Sequence, residues 1–122
     1  MKNHAKGFLD LVSDALIEVP EVDVFEVKSK IENGQDICLI DVREDHERKE
    51  SKIPTSIHLG KGVIERDIES IVPQKRKEII LYCQGGYRSA LAAESLKKMG
   101  YSNVYSMQGG FGYWVSNNFE TL

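Results

Sequence analysis

A chain of 122 residues has room for one domain, and 41% hydrophobic with 29% charged residues is the composition of a soluble globular protein. Collagen-like, disordered and membrane-spanning classes are thereby excluded. A net charge of −3 speaks against a general attraction to nucleic acid or anionic lipid, and the two cysteines, Cys38 and Cys83, are too few for a disulfide scaffold and lack C-x-x-C spacing.

Phe8, Val12, Ala15, Leu16 and Val19 recur at helical spacing, which predicts an amphipathic helix within residues 1–19, ending before Pro20. Asp10 and Asp14 interrupt its apolar stretch, so it is not expected to be a signal peptide, and no run approaches the ~18 apolar residues of a membrane span. A cytoplasmic location, where thiols stay reduced, is the expectation. The helix is expected to dock its stripe on the domain of residues 20–122. A second copy or a partner is the alternative, and monomer and homodimer both stay open.

Asp23 and Glu26 have the spacing of a capping box, opening a second helix that runs through Ile31 to Asn33 and closes at Gly34 in a left-handed turn. Ile37-Cys38-Leu39-Ile40 reads as a buried strand, Glu44 to Glu50 as a short exposed helix, and Ile57-His58-Leu59 as a short strand. Ile64, Ile68, Ile71 and Val72 mark one face of a helix that stops at Pro73. Glu78 to Tyr82 is the strongest strand. It runs into Cys83-Gln84-Gly85-Gly86-Tyr87-Arg88, after which Ser89 to Met99 forms a helix ended by Gly100. Val104 to Met107 is the last strand, and Gly109-Gly110 turns it into a short aromatic helix in which Phe111 and Trp114 pack on the core.

Alternating strands and helices predict an α/β fold: a doubly wound, mainly parallel sheet with helices on both faces. Ligands of such sheets bind at the carboxyl ends of strands, which directs attention to the strands ending near Asp41 and Cys83. Gly85 and Gly86 allow successive amides of the loop to point inward as an anion-binding nest. The following helix adds its positive end, and Arg88 supplies a cation at the far lip. A thiol in that field is expected to ionise readily and to act as a nucleophile. Cys38, flanked only by apolar residues, is read as packing.

Three segments resemble the single-domain rhodanese-like sulfurtransferases, over about residues 20 to 115. Ile40-Asp41-Val42-Arg43-Glu44 is similar to that family's strand-end signature, Leu81 to Ala90 to its active-site loop, and Val104 to Trp114, with Gly109-Gly110-Phe111, to its closing element. The resemblance implies that Cys83 takes a sulfane sulfur from thiosulfate or a persulfide, holds it as a persulfide, and passes it to a thiol or protein acceptor. Gln84, Gly85, Gly86, Tyr87 and Arg88 would form the cradle, with Asp41, Arg43 and Ser89 as supports. No cofactor or metal is implied. Two departures stand out. Ser51-Lys52-Ile53-Pro54-Thr55-Ser56 replaces the family's Gly-His-Ile-Pro-Gly-Ala, with an expected effect on local backbone shape. The loop also carries a single cation, where members suited to thiosulfate present more.

Other readings compete. A Cdc25-like phosphatase uses a similar loop with five residues between Cys and Arg; here four intervene, giving a narrower pocket. A non-catalytic rhodanese-like binding module usually lacks the Cys. A Cys–His hydrolase would need a histidine beside Cys83; His58 could approach from a neighbouring strand end, but a surface or packing role is the expectation for it. His4, His46 and His58 have no metal-ligand spacing, and Lys75-Arg76-Lys77 reads as a solvated turn rather than a nucleic-acid contact.

Overall fold

The structure is a computed structural model that describes residues 3–122. The described residues form, in chain order, α1 (Lys6–Glu18), β1 (Glu21–Val22), α2 (Val24–Glu32), β2 (Cys38–Asp41), α3 (Asp45–Glu50), β3 (Ile57–His58), α4 (Ile64–Ile71), β4 (Ile79–Tyr82), α5 (Tyr87–Lys98), β5 (Val104–Met107) and α6 (Gly110–Ser116). The strands lie in the order β1-β5-β4-β2-β3, and every neighbouring pair is parallel. The expected doubly wound α/β architecture is therefore the one observed.

The most apolar strand takes the centre. All four residues of β4 are 0% exposed, and burying each Ile or Leu side chain contributes about 2 kcal/mol relative to exposure. Ile79 and Leu81 point into a core shared with Ile64 and Ile68 of α4 and Ala93 and Leu96 of α5. Ile80 and Tyr82 point into the opposite core, with Val24 and Val27 of α2 and Phe111 and Trp114 of α6. Helices thus cover both faces, and the predicted core roles of Phe111 and Trp114 hold. The α1 stripe turns Val12 and Ala15 inward, and the helix packs along α5. No helix among the described residues is long and apolar enough to cross a membrane.

Several local expectations are corrected. β1 has no counterpart in the predicted elements. It is two residues long and exists only through pairing with β5, where Ser106 N donates to Pro20 O and Gln108 N to Val22 O. At the start of α2 the Asp23 carboxylate accepts from Glu26 N at 2.8 Å, the one half of the expected capping box that forms. Ile71 points outward and is 46% exposed, although Ile64, Ile68 and Val72 of the same predicted face are buried. α5 begins at Tyr87 rather than Ser89, because Gly86 at φ +94° turns the chain directly into the helix.

The segment that departs from the family pattern carries strain. Ile53–Ser56 closes a turn through Ser56 N and Ile53 O, with Pro54 and Thr55 at its centre. Thr55 sits at φ +72°, where this turn geometry favours glycine and a β-branched residue is least at ease. Thr55→Gly is expected to stabilise the protein by about 1 kcal/mol in urea denaturation, less the added freedom of the unfolded chain. A loss of stability would show that the threonine side chain compensates for its backbone.

Candidate active site

β4 ends by delivering Cys83, 1% exposed, to the carboxyl edge of the sheet. Its Sγ receives hydrogen bonds from the amides of Gly86 at 3.1 Å and Ser89 at 3.3 Å, and lies 3.5 Å from the Ser89 hydroxyl. These donors converge because Gly86 adopts the left-handed conformation, which places the first turn of α5 over the sulfur. The dipole of a 12-residue helix is therefore aimed at Cys83. Gln84, Gly85 and Tyr87 face solvent, whereas Gly86 and Ser89 are buried. Ser89 Oγ lies 2.7 Å from Ser106 Oγ, which in turn approaches Gly86 O at 3.5 Å. Ser106, fully buried on β5, had not been singled out in the sequence; an interior serine in an apolar strand is the signal that points to it.

The loop carbonyls are held from the other side. Phe111 N donates to Cys83 O at 2.8 Å and Gly112 N to Gln84 O at 3.0 Å. Gly110, at φ +60°, makes this approach possible: a Cβ there would lie 2.5 Å from Cys83 O and 2.6 Å from Gln84 O. The glycine pair predicted as a turn is also the clamp on the loop.

No hydrogen bond joins Asp41 or Arg43 to the Cys83 sulfur among the described residues. Asp41, 0% exposed, accepts from Arg43 N and Nε, Arg43 Nη2, Arg48 Nη1 and the Tyr82 hydroxyl. Burial pushes its carboxyl up, but the Arg43 hydrogen bonds more than offset this and hold it below the usual range. The Arg43 guanidinium stacks 4.2 Å from the Phe111 ring centre, so β2 reaches the loop through the residue whose amide holds Cys83 O. The divergent segment joins the same network: Ser51 O accepts from Arg43, and Ile53 N donates to Tyr82 Oη. Its remoteness in sequence from the loop does not carry into space.

Arg88 does not stand free at the lip. It forms a two-pronged pair with Glu47 of α3, at 2.7 and 2.9 Å. Sequence had shown Glu47 only as one charge in an exposed helix. Arg88 holds the Glu47 carboxyl down from 4.5 to about 2, against the opposing effect of burial and with help from the Glu44 amide. A carboxylate depressed in the folded state stabilises it above the unfolded value, and this contribution is lost as pH falls through the folded value. Acid is thus expected to remove about 2 kcal/mol through this pair after allowing for solvent screening, over the window from 4.5 down to about 2. Urea titrations across that window should show a smaller drop for Glu47→Gln, with the share owed to Asp41 retained. An equal drop would remove Glu47 as a cause.

Tyr87 meets α1, a contact not foreseen in the sequence: its ring lies edge-on to His4 at 4.9 Å and to Phe8 at 6.2 Å between centres. His58 is engaged elsewhere, with Nε2 2.8 Å from Arg43 O. Cys38 opens β2 at the amino edge of the sheet, half-buried, and burial pushes its thiol up. A hollow of about 300 Å³ lies beside the loop between Gln84, Glu47, Phe111 and Val115.

A parallel sheet that presents a cysteine in an amide cradle at the carboxyl end of its central strand defines a class, and residues 23–117 match the model of the rhodanese-like domain. The chain belongs to that family. It is 35% identical over 98 residues to the Bacillus subtilis protein named "Putative sulfurtransferase YtwF", covering 80% of this chain and 92% of that one. It is 28% identical to "Thiosulfate sulfurtransferase GlpE" of Coxiella burnetii, covering 83% and 89%. A solved structure from Rhodopseudomonas palustris, a protein of unknown function called a possible tyrosine phosphatase, superposes with a TM-score of 0.87 at 26% identity, over 98% of this chain and 97% of that one.

Proposed function

We propose that the protein is a sulfurtransferase in which Cys83 carries a sulfane sulfur as a persulfide between a donor and a thiol or other thiophilic acceptor. The observation that carries this reading is the convergence of the Gly86 and Ser89 amides on Sγ. Amide donors fixed before reaction favour a sulfur that is anionic before and after transfer. With thiosulfate, the Cys83 thiolate attacks the outer sulfur, a new S–S bond forms, and the old bond breaks with its electron pair leaving on sulfite. An acceptor such as cyanide then removes the outer sulfur as thiocyanate and restores the thiolate. Both half-reactions share one covalent intermediate. Gln84, Gly85, Tyr87 and Arg88 rim the cradle, while Asp41, Arg43 and Ser89 hold it in shape.

The phosphatase description of the Rhodopseudomonas palustris relative raises the second reading. Only four residues separate Cys83 from Arg88, and Arg88 is already bound to Glu47, so the loop offers a phosphate group less room and no free guanidinium. Intact-protein mass spectrometry after thiosulfate or a small persulfide, then cyanide, tests the proposal. A gain of one sulfur on Cys83, discharged by cyanide, is the expected result. No gain from either donor overturns it, and turnover of a phosphate ester would favour the phosphatase.

A further inference from the structure

The cation expected to draw anionic donors to the loop is occupied. Both Nη atoms of Arg88 are committed to the Glu47 carboxylate at 2.7 and 2.9 Å, and the two side chains are only 30% and 21% exposed. The carboxylate is itself anchored, since Oε1 also accepts from Glu44 N at 2.9 Å at the start of α3. The Glu47 hydrogen bonds, more than any other influence, hold Arg88 in its protonated form against the effect of burial. A closed pair of this kind has no net charge. The cradle is left with its amides and the end of α5, equivalent to roughly half a positive charge. That field suits one negative charge on the incoming sulfur compound and does not balance two.

We propose that Glu47 selects the donor by charge: by neutralising Arg88 it biases the Cys83 loop toward monoanionic sulfur donors, such as small persulfides, and away from dianions such as thiosulfate. This rests on the sulfur-transfer reading. Glu47 acts through Arg88 and is a positioning residue for specificity, without contact with the reacting atoms.

Two donors of matched shape isolate the effect. Thiosulfate carries two charges; methanethiosulfonate has a methyl group in place of one oxide and carries one. Both give the same Cys83 persulfide, with the electron pair leaving on sulfite or on methanesulfinate. Coulomb energy scales with the charge of the ligand, so Glu47→Gln is expected to lower KM about tenfold for thiosulfate and about threefold for methanethiosulfonate. A merely structural role would shift both alike. The double variant Glu47→Gln with Arg88→Gln should bring the ratio of the two KM values back toward that of the wild type.

Equal shifts for the two donors, weaker use of both, or a double variant that keeps the ratio of the single one would overturn the proposal. If Glu47→Gln does not fold, the wild type still decides. Its KM for thiosulfate should change less than about twofold between low and physiological salt, because a closed pair presents little charge to screen. A steep rise with salt overturns the proposal. A wild type that takes sulfur from neither donor removes the sulfur-transfer reading and this one with it. Loading of Cys83 with an unchanged donor ratio in the variants removes only the role of Glu47.

Discussion

Cys83→Ala is expected to lose sulfur transfer by at least about a thousandfold in kcat/KM while keeping the fold. Among the described residues, no second thiol lies near the cradle. The Ser89 hydroxyl lies 3.5 Å from the sulfur and shares its other contact with Ser106, with no base beside it. His58 is spent on Arg43 O, and Cys38 lies at the far edge of the sheet. The structural cost is small. Cys83 is 1% exposed, so removing its sulfur leaves a modest void and two amides without an acceptor, about 1–2 kcal/mol together. Circular dichroism and urea denaturation check the fold, and thiocyanate formation checks the activity. Turnover retained in a folded Cys83→Ala protein would move the chemistry to another residue.

Gly110→Ala is the second large expected effect, and it falls on the backbone. The added Cβ would meet Cys83 O at 2.5 Å and Gln84 O at 2.6 Å, with the residue also held at φ +60°. Neither neighbour is the end of a flexible side chain, so the loop or α6 has to move. Left-handed strain of about 1–2 kcal/mol adds to that clash, and a total near 4 kcal/mol places the change among the severe ones. Gly112→Ala is the control two residues away. Its Cβ would meet the end of the exposed Gln84 side chain at 3.2 Å and Gln84 O at an ordinary 3.4 Å, and alanine favours a helix over glycine by about 1 kcal/mol. Thermal unfolding should therefore show a large drop for Gly110→Ala and little or none for Gly112→Ala. At temperatures where Gly110→Ala remains folded, its displaced Cys83 carbonyl should still cost sulfur loading. Similar behaviour of the two variants would mean that α6 is not the clamp.

What was legible in the sequence follows from the range of the forces involved. β4, the apolar stripe of α1 and, Ile71 apart, that of α4 could be read because periodicity is local and burial dominates their energy. The loop at Cys83 could be read because glycines, a helix start and a cation follow one another along the chain. The pieces that escaped are pairings across distance. β1 is two residues whose strand character comes from β5. Glu47 meets Arg88 across 41 residues, and nothing in the charged run from Glu44 to Glu50 marks which acid turns toward the sheet. His4 and Phe8 reach Tyr87 only because α1 packs along α5. The serine at position 106 and the double glycine before Phe111 were visible as residues, but their purpose lies in what the β4 loop does beside them.

The placement of the two thiols limits how a loaded protein can behave. Cys38 stands opposite Ile79 at the start of β4, whereas Cys83 follows its end. Four residues of extended chain put them roughly 13 Å apart, beyond the span of a disulfide without a large backbone movement. The chain has no other cysteine. A sulfur carried by Cys83, as proposed, would consequently meet no second thiol of this chain able to expel it by forming a disulfide. Under the sulfur-transfer proposal it would wait at the head of α5 until a visiting nucleophile collected it, so the lifetime of the loaded carrier would be set by the traffic of acceptors rather than by a clock of its own.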